Sequence, residues 1–257
     1  MNLAPLLEIA KIAAKKAAIE ILKIYESGDF SIEAKSDDSP LTKADRAGHL
    51  AIVAELEKTN LPILSEEGRS IPYEERKDWD YFWMIDPLDG TKEFIKKNGE
   101  FTVNIALIHK GQPILGVVQV PVQNKLYYAT NGGGSFLEEN GQSQKLTANS
   151  QRLSVRGIKV VASRSHLNED TQQFIDQFED PEIVSMGSSL KLIAVAEGLA
   201  DLYPRYAPTM EWDTAAAHAI VTEAGGTVLI KDSTQSVQYN KRDLLNPHFL
   251  VSGSIAK

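Results

Sequence analysis

The chain of 257 residues contains no cysteine. This absence excludes thiolate nucleophiles, cysteine-type zinc sites and disulfide bonds, and it says little about the compartment in which the protein works. Long hydrophobic runs are missing too, since no apolar stretch approaches the roughly 18–20 residues that a membrane span requires. The N-terminal segment mixes lysine and glutamate into its apolar pattern and lacks the hydrophobic region of a signal peptide. We therefore expect a cytoplasmic protein without an integral membrane segment.

Positive charge is in short supply, because 27 Lys and Arg residues face 35 Asp and Glu residues, for a net charge of −8. A protein that binds a nucleic-acid backbone needs a basic face, so we expect no nucleic-acid partner. An acidic protein can still bind an anionic substrate when metal cations lie between the two, which leaves phosphate chemistry open. The five histidines are scattered and no G-x-S-x-G motif occurs, and both observations favour direct attack by water over a covalent mechanism.

Apolar residues recur at helical spacing from Leu3 to about Glu26 and predict an amphipathic first helix. Its lysines permit a peripheral membrane contact, although a solvated helix face explains them more simply: Lys15, Lys16 and Lys23. A second helix is predicted over 43–58. Alternating apolar residues then predict two β-hairpins, over 101–122 and over 126–138, the second with a glycine-rich turn.

The polar stretch 147–156 carries little pattern and marks the predicted boundary between two parts of the chain. Beyond it, short strands alternate with helical stretches, which favours a layered α/β arrangement. The predicted strands are 159–163, 183–186, 200–203, 227–231 and 249–252, and the predicted helices are 170–178, 189–197 and 214–223. The sequence thus predicts an α+β part over 1–155 and an α/β part over 156–257.

The most informative stretch is D-P-L-D-G-T at 86–91, which follows an apolar strand that we expect to end at Asp86. Proline stiffens the turn, so the carboxylates of Asp86 and Asp89 can converge on one point. Carboxylate oxygens and the Leu88 carbonyl are ligands that Mg²⁺ prefers. The backbone N–H groups after Gly90 would meet a phosphate at a helix N-terminus. For this motif alone, the simpler interpretation is that Asp89 caps a helix and Asp86 closes a turn.

Two further acidic elements accompany this motif. Glu66 and Glu67 follow the apolar run 61–64 at an expected strand end, where adjacent carboxylates repel unless cations or solvent screen them. Pairs of glutamates are also common on protein surfaces, so this motif alone is weak evidence for a metal site. Asp213 stands where the N-cap of an alanine-rich helix is expected, and capping alone explains it. Capping and metal binding are compatible, because one carboxylate oxygen is available for each.

In this order, S-E-E at 65–67, D-P-L-D-G-T at 86–91 and W-D-T-A-A-A at 212–217 resemble the inositol monophosphatase superfamily of magnesium-dependent, lithium-sensitive phosphomonoesterases. The resemblance covers nearly the whole chain and implies a layered α-β-α-β-α sugar-phosphatase fold. Within the superfamily the chain is similar to the bacterial CysQ branch, the 3′(2′),5′-bisphosphate nucleotidases. The motifs behind that choice are D-P-L-D-G-T-K-E-F-I at 86–95, N-G-E-F-T-V-N-I-A-L at 98–107, P-I-L-G-V at 113–117, S-R-S-H at 163–166, G-S-S-L-K at 187–191, Y-P-R at 203–205 and N-P at 246–247.

The resemblance implies a cofactor of two Mg²⁺ ions. Glu66, Asp86 and the Leu88 carbonyl would hold one ion. Asp86, Asp89 and Asp213 would hold the second. Two such cations activate water and neutralise the phosphoryl oxygens, which implies in-line attack without a covalent intermediate.

The resemblance also implies the residues that handle the nucleophile. Glu67 would act in the outer shell or on a third, weaker ion. Asp45 and Thr91 would orient and activate the water. From the sequence alone, a structural role for Asp45 as a first-turn acid of its helix is equally open.

The substrate pocket is implied in the second half of the chain. Lys191 and Arg205 would hold the 5′-phosphate of the nucleotide, although each is otherwise explained as a solvated surface charge. Ser163 and His166 resemble nucleotide-lining positions, with a structural role for His166 left open. Ser188 would donate to a phosphate or ribose, and Gly90 and Thr91 would contact the scissile phosphate.

These residues imply hydrolysis of 3′-phosphoadenosine 5′-phosphate to AMP and phosphate. The alternative is an inositol or sugar phosphatase of the same superfamily. A catalytically dead protein on the same fold is disfavoured because all five expected carboxylates are present. The patterns do not indicate an oligomeric state.

Overall fold

The computed structural model describes residues 1–31, 33–34, 40–149, 157–162 and 168–253. Over these ranges the chain forms seven α-helices: α1 Leu3–Ser27, α2 Lys43–Leu56, α3 Tyr73–Arg76, α4 Thr91–Ile95, α5 Glu169–Ile175, α6 Leu190–Ala196 and α7 Glu211–Glu223. A 3₁₀ turn at Glu57–Thr59 follows α2. The strands are β1 Glu33–Ala34, β2 Pro40–Leu41, β3 Ile63–Ser65, β4 Tyr81–Asp89, β5 Thr102–His109, β6 Gln112–Val120, β7 Lys125–Thr130, β8 Gly134–Glu139, β9 Gln142–Lys145, β10 Lys159–Ala162, β11 Glu182–Ser185, β12 Leu202–Arg205, β13 Thr227–Ile230 and β14 Phe249–Ser252.

Two sheets organise the described part of the chain, apart from the short β1–β2 pair. The larger sheet has the strand order β3-β4-β5-β6-β7-β8-β9, in which only β3 and β4 run parallel. The smaller sheet has the order β11-β10-β12-β14-β13, with β10 parallel to both of its neighbours. Both hairpins predicted from the sequence lie in the larger sheet, as β5–β6 and β7–β8.

Alternation along single strands establishes the layers. On β4, Phe82 and Met84 belong to a core shared with α6 and α7, whereas Trp83 and Ile85 belong to a core shared with α1 and α2. Successive side chains of a strand point to opposite faces, so helices cover both faces of the larger sheet. The smaller sheet behaves in the same way, because β10 packs against α5 on one face and against α6 and α7 on the other. The order of layers is therefore α-β-α-β-α, which confirms the predicted fold class.

A close approach between α7 and β6 fixes the central helix layer. A Cβ atom on Gly116 would lie 2.1 Å from the backbone oxygen of Ala216, so only glycine permits this contact. The alanine-rich sequence of α7 serves the same close packing, since Ala215, Ala216 and Ala217 are all buried. Helix α7 is thereby held firmly against the sheet that carries most of the predicted acidic ligands.

The first helix begins with Asn2 accepting from the Ala4 N–H and ends at Gly28, whose φ of 74° is left-handed. Its four lysines form ion pairs with glutamates: Lys11–Glu138 at 2.7 Å, Lys15–Glu138 at 2.5 Å, Lys16–Glu55 at 2.6 Å and Lys23–Glu20 at 2.7 Å. These pairs account for the lysines within the fold, so they give the predicted membrane contact no support. Among the described helices, none is long and apolar enough to cross a bilayer.

The predicted boundary near residue 155 stays a prediction, because residues 150–156 lie outside the described ranges. The two sheets do fall on either side of it in the sequence. One hydrophobic cluster nevertheless extends from Met84 and Val118 of the larger sheet to Tyr203 and Val251 of the smaller one. The two parts of the chain therefore share a core.

Candidate active site

The D-P-L-D motif lies on β4 and its bulge. The expectation that the strand ends at Asp86 is wrong, because β4 continues to Asp89, which pairs with Thr102 of β5 after a register shift. Pro87 has no backbone N–H to donate to the hydrogen bonds between β4 and β5, and a bulge accommodates it. The Asp86 carboxylate accepts from the Leu88 N–H at 3.0 Å and is 1% exposed. The bulge thus holds the buried Asp86 carboxylate next to the end of β3.

Strand β3 ends at Ser65, which confirms the strand end expected before the two glutamates, and it brings the S-E-E motif to the same place. Ser65 pairs in parallel with Ile85, and the Glu66 N–H donates to the Ile85 carbonyl at 3.2 Å. The Ser65 hydroxyl accepts from the Glu67 N–H at 3.2 Å and lies 2.9 Å from Nδ1 of His49. The turn that carries both glutamates is therefore tied to α2 as well as to β4.

Asp213 comes from α7, and its predicted N-cap position is wrong. The helix begins at Glu211, so Asp213 is its third residue, and its carboxylate accepts from the Met210 N–H at 2.9 Å. An acid at this position reaches back to the N-terminal turn and satisfies a free backbone donor. The other carboxylate oxygen is left to face the site.

Three acids from three different elements converge here. Among the described residues, one carboxylate oxygen each of Glu66, Asp86 and Asp213 lies within 4.8 Å of the other two. Burial raises the pKa of Asp86 well above its usual value, and repulsion from Glu66, Asp89 and Asp213 adds to the effect. Burial, with repulsion from Asp89, likewise raises the pKa of Asp213. A divalent cation with a preference for oxygen ligands fits this cluster, because it would neutralise charges that otherwise repel.

Asp45 has a structural role at the start of α2, and its carboxylate also reaches Thr91. One of its oxygens accepts from the Thr42 N–H at 2.7 Å and from the Thr42 hydroxyl at 2.6 Å, at the start of α2. Its other oxygen lies 3.3 Å from the Thr91 hydroxyl. That hydroxyl is also 3.4 Å from the Leu88 carbonyl, one of the predicted metal ligands. The capping acid therefore reaches the edge of the acidic cluster.

A pocket beside the cluster brings together four of the predicted substrate residues, Gly90, Ser188, Lys191 and Arg205, whereas Thr91 is not among the residues that line it. It is lined by Asp89, Gly90, Glu93, Ser188, Ser189, Lys191, Leu192, Tyr203, Arg205, Thr209, Asp213 and Thr214. Gly90 has a φ of 95°, and a Cβ there would lie 3.2 Å from the Glu100 carbonyl oxygen and from Cβ of Ser188. Ser188 itself adopts a left-handed φ of 43°. Backbone strain of this kind is concentrated at functional sites.

Two potential donors in this pocket are available to a ligand. The Ser188 hydroxyl and Nε of Arg205 are buried and have no hydrogen-bond partner within the described ranges. The Arg205 guanidinium also donates to the Pro208 carbonyl at 2.6 Å, and Lys191 Nζ donates to the Ser188 carbonyl at 3.1 Å. Both cations are thus held at the pocket wall by backbone contacts.

Two predicted site residues lie outside the described ranges, and some residues of the pocket were not predicted. Ser163 and His166, predicted to line the nucleotide, lie outside the described residues. Glu93 and Thr209 line the pocket but were not predicted as site residues. Glu93 belongs to the motif at 86–95, which was used for the resemblance only, and Thr209 lies in none of the quoted motifs. Ser189 was also missed, because a G-S-S motif does not reveal which serine faces which neighbour.

Comparisons with known proteins agree with this geometry. The model of the inositol monophosphatase family matches residues 2–256. The 3′(2′),5′-bisphosphate nucleotidase CysQ of Salmonella typhimurium is 44% identical over 243 residues, which cover 93% of this chain and 96% of that protein. The crystal structure of CysQ from Bacteroides thetaiotaomicron, described as a bacterial member of the inositol monophosphatase family, matches with a TM-score of 0.88 at 45% identity over 100% of both chains. The IMPase of Thermotoga maritima matches with a TM-score of 0.80 at 25% identity, over 98% of this chain and 93% of that one. Three convergent acids at the junction of two sheets thus occur in a chain that belongs to the inositol monophosphatase family.

Proposed function

We propose that this chain is a magnesium-dependent phosphatase that hydrolyses 3′-phosphoadenosine 5′-phosphate to AMP and phosphate. The observation that carries the proposal is the placement of Lys191 and Arg205 in the same pocket as Asp89 and Asp213. Acids that suit a metal-bridged phosphate therefore stand next to cations that suit a second phosphate. The names of the similar nucleotidases support the same substrate class.

The acidic cluster accounts for the metal requirement. Glu66, Asp86, Asp89, Asp213 and the Leu88 carbonyl would hold two Mg²⁺ ions, with Glu67 in the outer shell or on a third. These oxygen donors are the type that Mg²⁺ prefers, and the burial of Asp86 makes a bound cation favourable. Divalent ions in such a site acidify water and neutralise the phosphoryl group.

Asp45 and Thr91 would position the attacking water. Because the Thr91 hydroxyl is in hydrogen-bonding range of the Asp45 carboxylate, its oxygen lone pairs stay free to accept a proton from water. The carboxylate would hold Thr91 in that orientation and take up the released proton through it. Backbone N–H groups at Gly90 and Thr91 would contact the scissile phosphate.

The second phosphate would bind at the opposite wall of the pocket. Arg205 offers its Nε donor, which has no partner within the described ranges. Lys191 offers an ammonium group with three donors, one of which is given to the Ser188 carbonyl. The Ser188 hydroxyl would donate to the phosphate or ribose. An inositol monophosphate has no second phosphate to occupy these donors, which favours the nucleotide.

The cellular role follows from this substrate. Removal of 3′-phosphoadenosine 5′-phosphate, a by-product of sulfate assimilation, would take place in the cytoplasm. By family resemblance we also expect inhibition by lithium.

The test is phosphate release in millimolar Mg²⁺ with three substrates compared side by side. We expect a strong preference for 3′-phosphoadenosine 5′-phosphate over inositol 1-phosphate and fructose 1,6-bisphosphate. Preference for either sugar phosphate would retain the metal chemistry and reject the assignment of the second phosphate site. Turnover that persists after complete removal of divalent ions would reject the metal requirement.

A further inference from the structure

The hydroxyl of Ser189 lies between acids from the two halves of the chain. Its oxygen is 2.7 Å from the Asp89 carboxylate and 2.7 Å from the backbone carbonyl of Asp213. It also accepts a hydrogen bond from the Asn104 amide at 2.8 Å. Ser189 and Asn104 are each 1% exposed, so water does not compete for these contacts. One buried hydroxyl thus contacts both Asp89 of β4 and Asp213 of α7.

The Ser189 hydroxyl carries a single hydrogen, which limits the hydrogen bonds that it can donate. A serine has one O–H donor, and two acceptors stand within 2.7 Å of it. The Asn104 amide donates to the serine oxygen and so directs the single proton toward the acids. An ionised carboxylate accepts a stronger hydrogen bond than a neutral carbonyl does. The single proton is therefore shared in a three-centre hydrogen bond, with the stronger component to the Asp89 carboxylate and the weaker one to the Asp213 carbonyl.

Ser189 gives up its usual local role to make these contacts. It stands at the N-cap of α6, where a serine side chain normally accepts from a free backbone N–H of the first turn. Here the side chain makes no capping hydrogen bond. The preceding Ser188 is in a left-handed conformation with φ 43°, which sets the direction of the chain as it enters α6. The serine is thus used for the site instead of for its helix.

We propose that Ser189 is a positioning residue for metal binding. Its hydroxyl fixes the orientation of the Asp89 carboxylate and the position of the first turn of α7, so that Asp89 and Asp213 face one ion before that ion arrives. Asn104 supports this role by holding the hydroxyl. The inference rests on the proposed function, because it assumes that these acids bind a divalent cation.

The test measures Mg²⁺ binding directly, by isothermal titration calorimetry on chelator-treated protein without substrate. We expect Ser189→Ala to weaken Mg²⁺ binding by ~10–100-fold, the usual effect of losing an outer-shell hydrogen bond. Its melting temperature without metal should also fall by a few degrees, because the Asn104 amide and the Asp213 carbonyl lose a buried hydrogen-bond partner.

Ser135→Ala is the matched control. Ser135 is fully buried, and its hydroxyl has no hydrogen-bond partner among the described residues. The same substitution there should leave Mg²⁺ affinity unchanged. A general loss of packing would affect both variants, whereas the proposed role affects Ser189→Ala alone.

Asn104→Leu provides a second route to the same conclusion. It should weaken Mg²⁺ binding in the same direction, because the Asn104 amide donates to the Ser189 hydroxyl at 2.8 Å and lies 3.4 Å from the Asp89 carboxylate. The loss in the double variant should be smaller than the sum of the two single losses, because both substitutions remove the hydrogen bond between Asn104 and Ser189. Additive losses in the double variant would overturn the proposal. Unchanged Mg²⁺ affinity in Ser189→Ala would overturn it while leaving the proposed function intact. Failure of the wild type to bind Mg²⁺ would overturn both.

Discussion

The Thr91 hydroxyl lies 3.3 Å from the carboxylate of Asp45, a residue 46 positions earlier in the chain. The other oxygen of that carboxylate is held by Thr42 at the start of α2. The orientation of Thr91 is therefore set by a helix end, which is a rigid support for a small polar group. The contact connects α2 with the D-P-L-D-G-T motif, where the predicted metal ligands lie.

Thr91→Val should lower kcat by ~10²–10⁴-fold, because it removes the hydroxyl that would orient and deprotonate the attacking water while keeping the shape of the side chain. Mg²⁺ binding should be nearly unchanged, since the carboxylates stay in place. Steady-state kinetics at saturating Mg²⁺ and a calorimetric Mg²⁺ titration provide the measurement. A variant with near-normal kcat would contradict the role of Thr91.

Thr102→Val is the control for this substitution. Thr102 is fully buried on β5, directly opposite Asp89, but its hydroxyl has no partner within the described part of the chain. Loss of that hydroxyl should leave kcat unchanged. Equal losses in the two variants would indicate a packing effect near the bulge instead of a role in catalysis.

Asp213→Asn should make the metal-free protein more stable. Burial and repulsion from Asp89 raise the pKa of Asp213, so its charged form is held at a cost in free energy. The amide removes the charge and keeps an oxygen to accept from the Met210 N–H. A gain of about 1 kcal/mol would raise the melting temperature by roughly 2–4 °C in a chain of this size.

The same variant should lose most of the stabilisation that Mg²⁺ gives to the wild type. Thermal unfolding with chelator and with millimolar Mg²⁺ measures both effects. A lower melting temperature in chelator would show that Asp213 contributes more through its helix contact than it costs through repulsion.

The sequence predicted the helices and hairpins well where one periodicity ran long enough. Helix α1 was expected over 3–26 and spans Leu3–Ser27, and the strand at 249–252 was predicted at its full extent. A strand end was expected before Glu66, and β3 does end at Ser65, but its parallel pairing with β4 is a contact between elements that no local pattern reveals.

The residues of the acidic cluster were named from the sequence, but their positions within strand β4 and helix α7 were not predicted. Glu66, Asp86 and Asp213 were assigned to two ion sites that share Asp86, and the fold places all three together. The bulge after Asp86 and the third-residue position of Asp213 depend on pairing with β5 and on the turn at Met210. Such features arise from contacts between elements, so a single chain read locally does not contain them.

Lys191→Ala should weaken the binding of 3′-phosphoadenosine 5′-phosphate more than that of 3′-AMP, which lacks the 5′-phosphate. A hydrogen bond to a charged group contributes about 1.5–3 kcal/mol, so KM for the bisphosphate should rise about tenfold or more. Phosphate release from both substrates measures the difference. Equal losses on the two substrates would reject Lys191 as a ligand of the second phosphate.

Lys96→Ala serves as its control. Lys96 is exposed and does not line the pocket, yet the substitution removes the same charge from the protein near α4. KM for the bisphosphate should change little, because an exposed charge is screened by salt. A comparable rise in KM would attribute the effect of Lys191 to net charge instead of contact.

His218 should make the fold sensitive to mild acid. The ring is buried on α7, with Nδ1 2.8 Å from the Tyr239 hydroxyl and Nε2 3.2 Å from the Ser236 hydroxyl. Burial lowers the pKa of His218 from 6.5 to about 4. Between those two values the unfolded chain binds a proton that the folded protein excludes, so the free energy of unfolding falls as the pH falls.

Between pH 7 and pH 5 this residue should lower the free energy of unfolding by about 2 kcal/mol. His218→Gln retains hydrogen-bonding atoms but cannot titrate, so its free energy of unfolding should fall less over the same range. Urea unfolding of both proteins at the two pH values gives the difference directly, because contributions from carboxylates are common to both and cancel. If the two proteins lose equal stability, the acid sensitivity comes from other groups and His218 is no more than a packing residue of α7. If the wild type loses more, the buried hydrogen bonds of His218 to Tyr239 and Ser236 weaken in acid, and α7, which carries the predicted metal ligand Asp213, loses support.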